Sequence, residues 1–165
     1  MSVPRVLVAL LLLACGALVS AQSLPAPAPA LELPDEHGTL VSLGALRGRV
    51  VLVDVWASWC VPCKAAFPEY DALFKEYRDR GFEVLAVNVD ERRADADRFL
   101  ATRPHAMPVL FDPKGVTPQR FQLNGMPTSY FIDRRGNIRF RHEGFTLKDL
   151  TTYRSRIEQL LAEAR

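Results

Sequence analysis

Residues 50–56, Val-Val-Leu-Val-Asp-Val-Trp, form an apolar run broken by a single acid. A run this short and this β-branched predicts a strand buried on both faces, with Asp54 as its anomaly. From Pro62 to Arg80 the period changes. Phe67, Tyr70, Leu73, Phe74 and Tyr77 recur at spacings of three and four, which predicts a long helix with Pro62 in its first turn and Gly81 closing it. Pro68 falls inside that helix and should kink it. Glu83–Val89 repeats the buried-strand pattern. Asp95–Thr102 then reads as a helix stopped by Arg103-Pro104, Val109–Phe111 as a short strand, and Gly115–Phe121 as a turn or weak helix. Thr128–Ile132 is a further strand, and Arg134-Arg135-Gly136-Asn137 turns it into Ile138–His142. Tyr153, Ile157, Leu160, Leu161 and Ala164 mark a C-terminal helix. Upstream, Leu31–Leu33 and Gly38–Val41 flank Pro34-Asp35-Glu36-His37, a hairpin with turn chemistry between, and Ser42 is placed to cap a short turn reaching Leu46 before Gly48. The expected fold class is α/β: a central mixed sheet flanked by helices, with an N-terminal β-hairpin extension.

The first residues follow another logic. Met1–Arg5 carries one basic side chain, residues 6–19 carry no charge, and Val19-Ser20-Ala21 ends the run on small residues. That order is the pattern of a secretory signal, and the apolar run is shorter than the ~18–20 residues needed to span a bilayer. Residues 1–21 are therefore expected to be a signal peptide. Leu12-Leu13-Ala14-Cys15-Gly16 offers an alternative, a lipoprotein signal ending at residue 14, with Cys15 as a membrane tether. Residues 22–30, rich in alternating Pro and Ala, read as an extended linker, leaving 31–165 as the folded domain.

Composition narrows the function classes. One domain is expected from 165 residues, and 21 Lys+Arg against 19 Asp+Glu leave no charge excess to support nucleic-acid binding. Three cysteines are too few for a disulfide-stapled miniprotein.

The chemistry concentrates in Trp59-Cys60-Val61-Pro62-Cys63, between the first long strand and the long helix. In that setting Cys60 stands at the helix N-terminus, where free backbone N–H groups and the positive end of the dipole stabilise a thiolate. Cys63, three residues on, is near enough to bond with it and should be the more covered of the two. An exposed acidic thiol beside a shielded one suits thiol–disulfide exchange: the first attacks, the second resolves the mixed disulfide. A purely structural cross-link over so short a loop would remove little chain entropy. A zinc site would need further ligands, and His37, His105 and His142 show no matching spacing.

The segment from Val53 to Lys64 resembles the active-site region of the thioredoxin superfamily. Together with the export-like N-terminus, Leu31–Val41 and Gly125-Met126-Pro127-Thr128-Ser129, it is most similar to the TlpA/ResA-like extracytoplasmic thioredoxins, from about Leu31 to the C-terminus. The resemblance implies a thioredoxin fold, thiol–disulfide oxidoreductase activity and no dissociable cofactor beyond a redox-active Cys60–Cys63 disulfide. It implies that Cys60 is the nucleophile and Cys63 the resolving thiol. It also implies that Pro127 is cis and faces the pair, so that the Met126 backbone can meet an incoming peptide in β fashion. Client contacts are expected at Trp59, Val61, Pro62, Met126 and Thr128, with Trp56 as core.

Asp54 matches the buried acid of cytoplasmic thioredoxins. Burial there should raise its pKa and make it the proton acceptor and donor for Cys63. Many relatives instead carry a glutamate three residues beyond the second Cys, where this chain has Ala66, with Glu69 a turn further on. Expected partners are client proteins with cysteines and a membrane thiol–disulfide electron donor. The expected location is periplasmic or otherwise extracytoplasmic, and the expected use is reductive, as in cytochrome c or metal-centre maturation. An oxidase or isomerase would use the same site. A thiol peroxidase would need a Thr or Ser three residues before its reactive Cys, where Ala57 stands. A Cu(I)-binding module could draw on His105 and Met107. Lys64 and the arginines 134, 135, 139 and 141 read as solvated charges.

Overall fold

The computed structural model describes residues 24–163. The signal and lipoprotein readings fall on residues outside that range. Among the described residues no helix is long and apolar enough to cross a membrane.

Among the described residues eight strands and four α-helices follow in the order β1 (Ala26–Pro27), β2 (Glu32–Pro34), β3 (Leu40–Ser42), β4 (Val50–Trp56), α1 (Val61–Tyr77), β5 (Phe82–Asn88), α2 (Arg93–Leu100), β6 (Val109–Phe111), α3 (Val116–Arg120), β7 (Thr128–Ile132), β8 (Asn137–Glu143) and α4 (Leu150–Ala162). The main sheet has the order β1-β8-β7-β4-β5-β6, and β2 pairs with β3 in a separate antiparallel ribbon. β4 runs parallel to β5 and antiparallel to β7, so the sheet is mixed and β4 sits at its centre. That position explains its composition, for every one of its residues is buried.

Alternation along β4 divides the core into two layers. Val50, Leu52 and Trp56 point into the layer formed with α1, α2 and α4, while Val51 and Val53 point into the layer covered by Leu31, Leu43 and Phe121. Asp54 shares the first face. At the top of that layer Trp56, Phe67 and Phe99 meet with ring centroids 5.0–5.3 Å apart, joining the end of β4 to α1 and α2 directly beneath the motif. Such aromatic pairs add about 0.5–1.5 kcal/mol each beyond their area burial.

Several local expectations shift. α1 begins at Val61, and its last turn tightens into a 3₁₀ segment, Arg78–Arg80, before Gly81 adopts a left-handed φ of 92°. Pro68 lies on the exposed side of α1, where water can take the carbonyl its missing N–H leaves free. The helix expected over Asp95–Thr102 lies at Arg93–Leu100. Ser42 does not cap the turn at Leu43–Leu46: it ends β3 opposite Glu32, and the Leu43 amide donates to the Leu31 carbonyl instead.

The stretch expected to be a free spacer is partly docked. Ala26 and Pro27 pair with Ile138 and Asn137, and the Ala28 amide donates to the Gly136 carbonyl, so β1 covers the start of β8. Proline tolerates that edge position because its missing donor would face away from the sheet. The hairpin arginines are correspondingly less free than solvated charges. Arg134 donates to the carbonyls of Gly48 and Leu161, Arg139 pairs with Asp133 and Glu163, and Arg141 pairs with Glu143.

Candidate active site

Cys60 is the N-cap of α1, in extended conformation, and its sulfur accepts the Cys63 amide at 3.3 Å. Pro62 stands just inside the helix, where a proline forfeits no intrahelical bond. The two sulfurs are bonded, with the Cα atoms 5.3 Å apart. The contrast in exposure is narrower than the sequence suggests, 6% for Cys60 against 1% for Cys63. Trp59 and Val61, at 65% and 75%, carry the exposed surface, and Trp56 is fully in the core. An incoming sulfur therefore reaches Cys60 between exposed apolar side chains, while Cys63 lies behind. The amide already aimed at the Cys60 sulfur would also stabilise its thiolate after reduction.

A residue that sequence reading passed over fixes the loop ahead of this pair. Asp90, buried just beyond β5, accepts the Ser58 amide at 2.9 Å and the Ser58 hydroxyl at 3.0 Å, and the Asn88 side-chain amide at 2.8 Å. It ties Ala57–Cys60 to the neighbouring strand. The signal available was a polar Asn88-Val89-Asp90 step at the end of a buried strand, which reads equally well as a simple turn. Asp90→Ala takes the acceptor from the part-buried Ser58 amide and hydroxyl and from the buried Asn88 side-chain amide, and should lower stability by about 1–3 kcal/mol in urea titration.

Across from the cysteines, the Met126–Pro127 peptide is cis, and Pro127 is buried. Residues 123–126 and Trp59–Pro62 line one open, mainly apolar groove of about 590 Å³. The groove brings Trp59, Cys60, Val61, Pro62 and Met126 together. Thr128 does not join them. Its side chain is fully buried, and its hydroxyl donates to the Gly125 carbonyl at 2.6 Å, so it braces the loop instead of meeting a client.

Asp54 is 2% exposed, and Ser129, directly opposite on β7, donates its hydroxyl to the carboxylate at 2.7 Å. The Ser129 oxygen in turn contacts the hydroxyls of Tyr70 at 3.0 Å and Tyr153 at 2.8 Å. Burial pushes the Asp54 carboxyl up to about 8, against the partial pull of the Ser129 and Tyr70 hydroxyls. Burial raises both tyrosines as well. Periodicity had marked Tyr70 and Tyr153 as core positions. Their hydroxyls belong to the site's electrostatics.

The remaining candidates fall outside. Ala66 is buried and offers no acid. His105 has both ring nitrogens engaged, Nδ1 with the Arg103 carbonyl and Nε2 with Glu36, and Met107 is packed in the core. Among the described residues no group of three or more His, Cys, Asp or Glu is placed to hold a metal ion. Lys64 lines a small hollow with Ser58, Asp95 and Arg98, beside the groove and not in it.

The AhpC/TSA family model matches residues 25–141. The chain is 37% identical over 98 residues to the thiol-disulfide oxidoreductase ResA of Oceanobacillus iheyensis, a match covering 59% of this chain and 51% of that protein. The chain thus spans about half the length of that relative. Among solved structures, a protein described as the thiol:disulfide interchange protein DsbE of Chlorobium tepidum superposes with a TM-score of 0.81 at 41% identity, over 84% of this chain and 97% of that one. The exposed lipoprotein thioredoxin Etrx1 of Streptococcus pneumoniae superposes with a TM-score of 0.68 at 30% identity, over 80% and 100%.

Proposed function

From the premise that the chain belongs to the AhpC/TSA family, in its TlpA/ResA-like thioredoxin branch, we propose that it is a protein thiol–disulfide oxidoreductase acting through Cys60 and Cys63. The observation that carries this reading is the Cys60–Cys63 disulfide at the cap of α1, opening onto a groove whose far wall is the loop before Pro127. In the reductive direction the Cys60 thiolate attacks one sulfur of a client disulfide, forming a mixed disulfide and releasing the client's other sulfur as thiolate. Cys63 passes its proton to Asp54 and attacks the Cys60 sulfur. The second client thiol leaves, and Cys60–Cys63 is again bonded. Two electrons pass to the client, and no dissociable cofactor takes part. A dithiol donor at the membrane restores the pair.

The same reading places the protein outside the cytoplasm, exported by residues 1–21 or tethered through Cys15, with reduction of cytochrome c precursors or metal-centre proteins as its use. The uncharged run over residues 6–19 and the likeness to an exposed lipoprotein thioredoxin support that location. Reductive use draws on the likeness to ResA. The test is trapping. The reduced Cys63→Ser variant, added to disulfide-bearing proteins of the same compartment, should hold one as a mixed disulfide through Cys60, with the combined mass on a non-reducing gel. Trapping by Cys60→Ser, with none by Cys63→Ser, overturns the assignment of roles.

A further inference from the structure

A buried carboxyl that must gain and lose a proton faces a problem that an exposed one does not. Water satisfies both of its forms at the surface, whereas in a core each form needs its own hydrogen-bond partners. Asp54 has no water-facing surface to speak of, and its hydrogen-bond partner is Ser129. Ser129, Tyr70 and Tyr153 form a closed triangle of hydroxyls, with oxygen separations of 3.0, 2.9 and 2.8 Å, and all three residues are buried.

We propose that Ser129, Tyr70 and Tyr153 form a reversible hydrogen-bond ring that lets the Asp54 carboxyl take up and release its proton without water and without displacement of any heavy atom. The three are positioning residues for that acid, and their use in thiol exchange rests on Asp54 being the proton acceptor of the functional reading above. Counting donors shows how the ring works. With Asp54 ionised, Ser129 donates to Asp54 Oδ1, Tyr153 donates to Ser129 Oγ, and Tyr70 donates to Tyr153. Every hydroxyl hydrogen has an acceptor. With Asp54 protonated in the oxidised protein, its hydrogen rests on Oδ1 and donates to Ser129 Oγ. The Ser129 hydrogen rotates to the Tyr70 oxygen, while the Tyr70-to-Tyr153 and Tyr153-to-Ser129 bonds stay as they were. Ser129 Oγ then accepts two bonds and donates one, and again no hydrogen is orphaned. One hydroxyl rotation separates the two states.

The surroundings leave this task to the ring. On β5 the residue opposite Asp54 is Ala86, which does not titrate. α1 contributes Tyr70 and, in the same core layer, Cys63. β7 contributes Ser129, while Tyr130 beside it packs in the opposite layer with its hydroxyl committed to the Phe121 carbonyl. α4 contributes Tyr153, and beyond it on β8 stands His142, packed edge-on against the Tyr153 ring and paired with Asp149.

The scheme makes a prediction of sign. Removing either tyrosine hydroxyl leaves the ionised state complete but strands one hydrogen in the protonated state. Tyr153→Phe should therefore lower the Asp54 midpoint by about one pH unit, the scale of one unsatisfied buried donor, whereas in Tyr70→Phe that fall is opposed by loss of a hydroxyl that itself pulls the carboxyl down. Ser129→Ala removes the donor to the carboxylate and should raise the midpoint, and Ser129→Thr should return it toward the wild-type value. The measurement is ¹³C-carboxyl NMR of the oxidised full chain, titrated through the midpoint. If Tyr153 acted only as a one-way donor through Ser129, its loss would raise the midpoint. That rise in Tyr153→Phe, or no change there, overturns the ring. These outcomes are independent of turnover. If Asp54→Asn leaves the exchange rate unchanged, the catalytic reading of Asp54 fails, and the ring is still judged on the midpoints.

Discussion

Asparagine in place of Asp54 should make the oxidised protein more stable, and increasingly so as pH rises. The sign follows from burial. The folded carboxyl titrates at about 8, against ~3.9 for an unfolded aspartate. Between those values the folded state holds a proton that the unfolded chain has released, so wild-type stability falls as pH climbs through the window. The slope approaches about 1.4 kcal/mol per pH unit, and on the order of 3–4 kcal/mol separates pH 4 from pH 7. Below pH 4 both states are protonated and the penalty is absent. Asparagine cannot ionise, keeps an oxygen for the Ser129 hydroxyl, and lacks that slope. Urea titrations of both proteins from pH 4 to pH 8 check this: the curves should diverge upward in pH, and parallel curves would show that Asp54 ionises normally. The same substitution should slow resolution of the mixed disulfide by about 10²–10⁴-fold, the usual range for loss of a positioned proton acceptor. A more stable but slower protein is the expected pairing.

Cys60→Ser should abolish disulfide exchange altogether, since a hydroxyl cannot form the mixed disulfide on which electron transfer depends. Reduction of a disulfide substrate, with a dithiol recycling the enzyme, should drop to the uncatalysed background. Cys63→Ser should differ in kind: one attack proceeds, and turnover stops at the trapped adduct. Stopped-flow measurement of a single turnover separates the two, because only Cys63→Ser should show the fast first phase. A fast phase in Cys60→Ser would reverse the order of attack. The geometry favours the stated order, with Cys60 opening on the groove and Cys63 enclosed between α1 and the sheet.

Most of the architecture was legible because its elements carry strong one-dimensional signals. β4 and β5 are apolar runs that only a doubly covered strand accommodates, and α1 carries a clean three-and-four spacing. The cysteine pair announced itself by position between those two elements. Boundaries moved where short-range competition decides them, as at Ser42, whose amide neighbour found a β partner, and at Ala26–Pro27, which gained a place at the sheet edge that no propensity of Pro and Ala indicates. The degree to which Cys60 is covered, 6% exposed between two strongly exposed neighbours, is set by tertiary packing.

A single chain of letters thus determined which residues are apolar, where periodicity changes, and that two sulfurs three positions apart stand at a helix entrance, because those properties depend on neighbours in sequence. Folding alone decided that Ser129 faces Asp54 across two strands, that tyrosines from α1 and α4 close a ring with it, and that Asp90 holds the loop before Cys60. Hydrogen bonds act over about 3 Å in space, and the partners here lie up to 83 residues apart along the chain, a separation that no local pattern encodes.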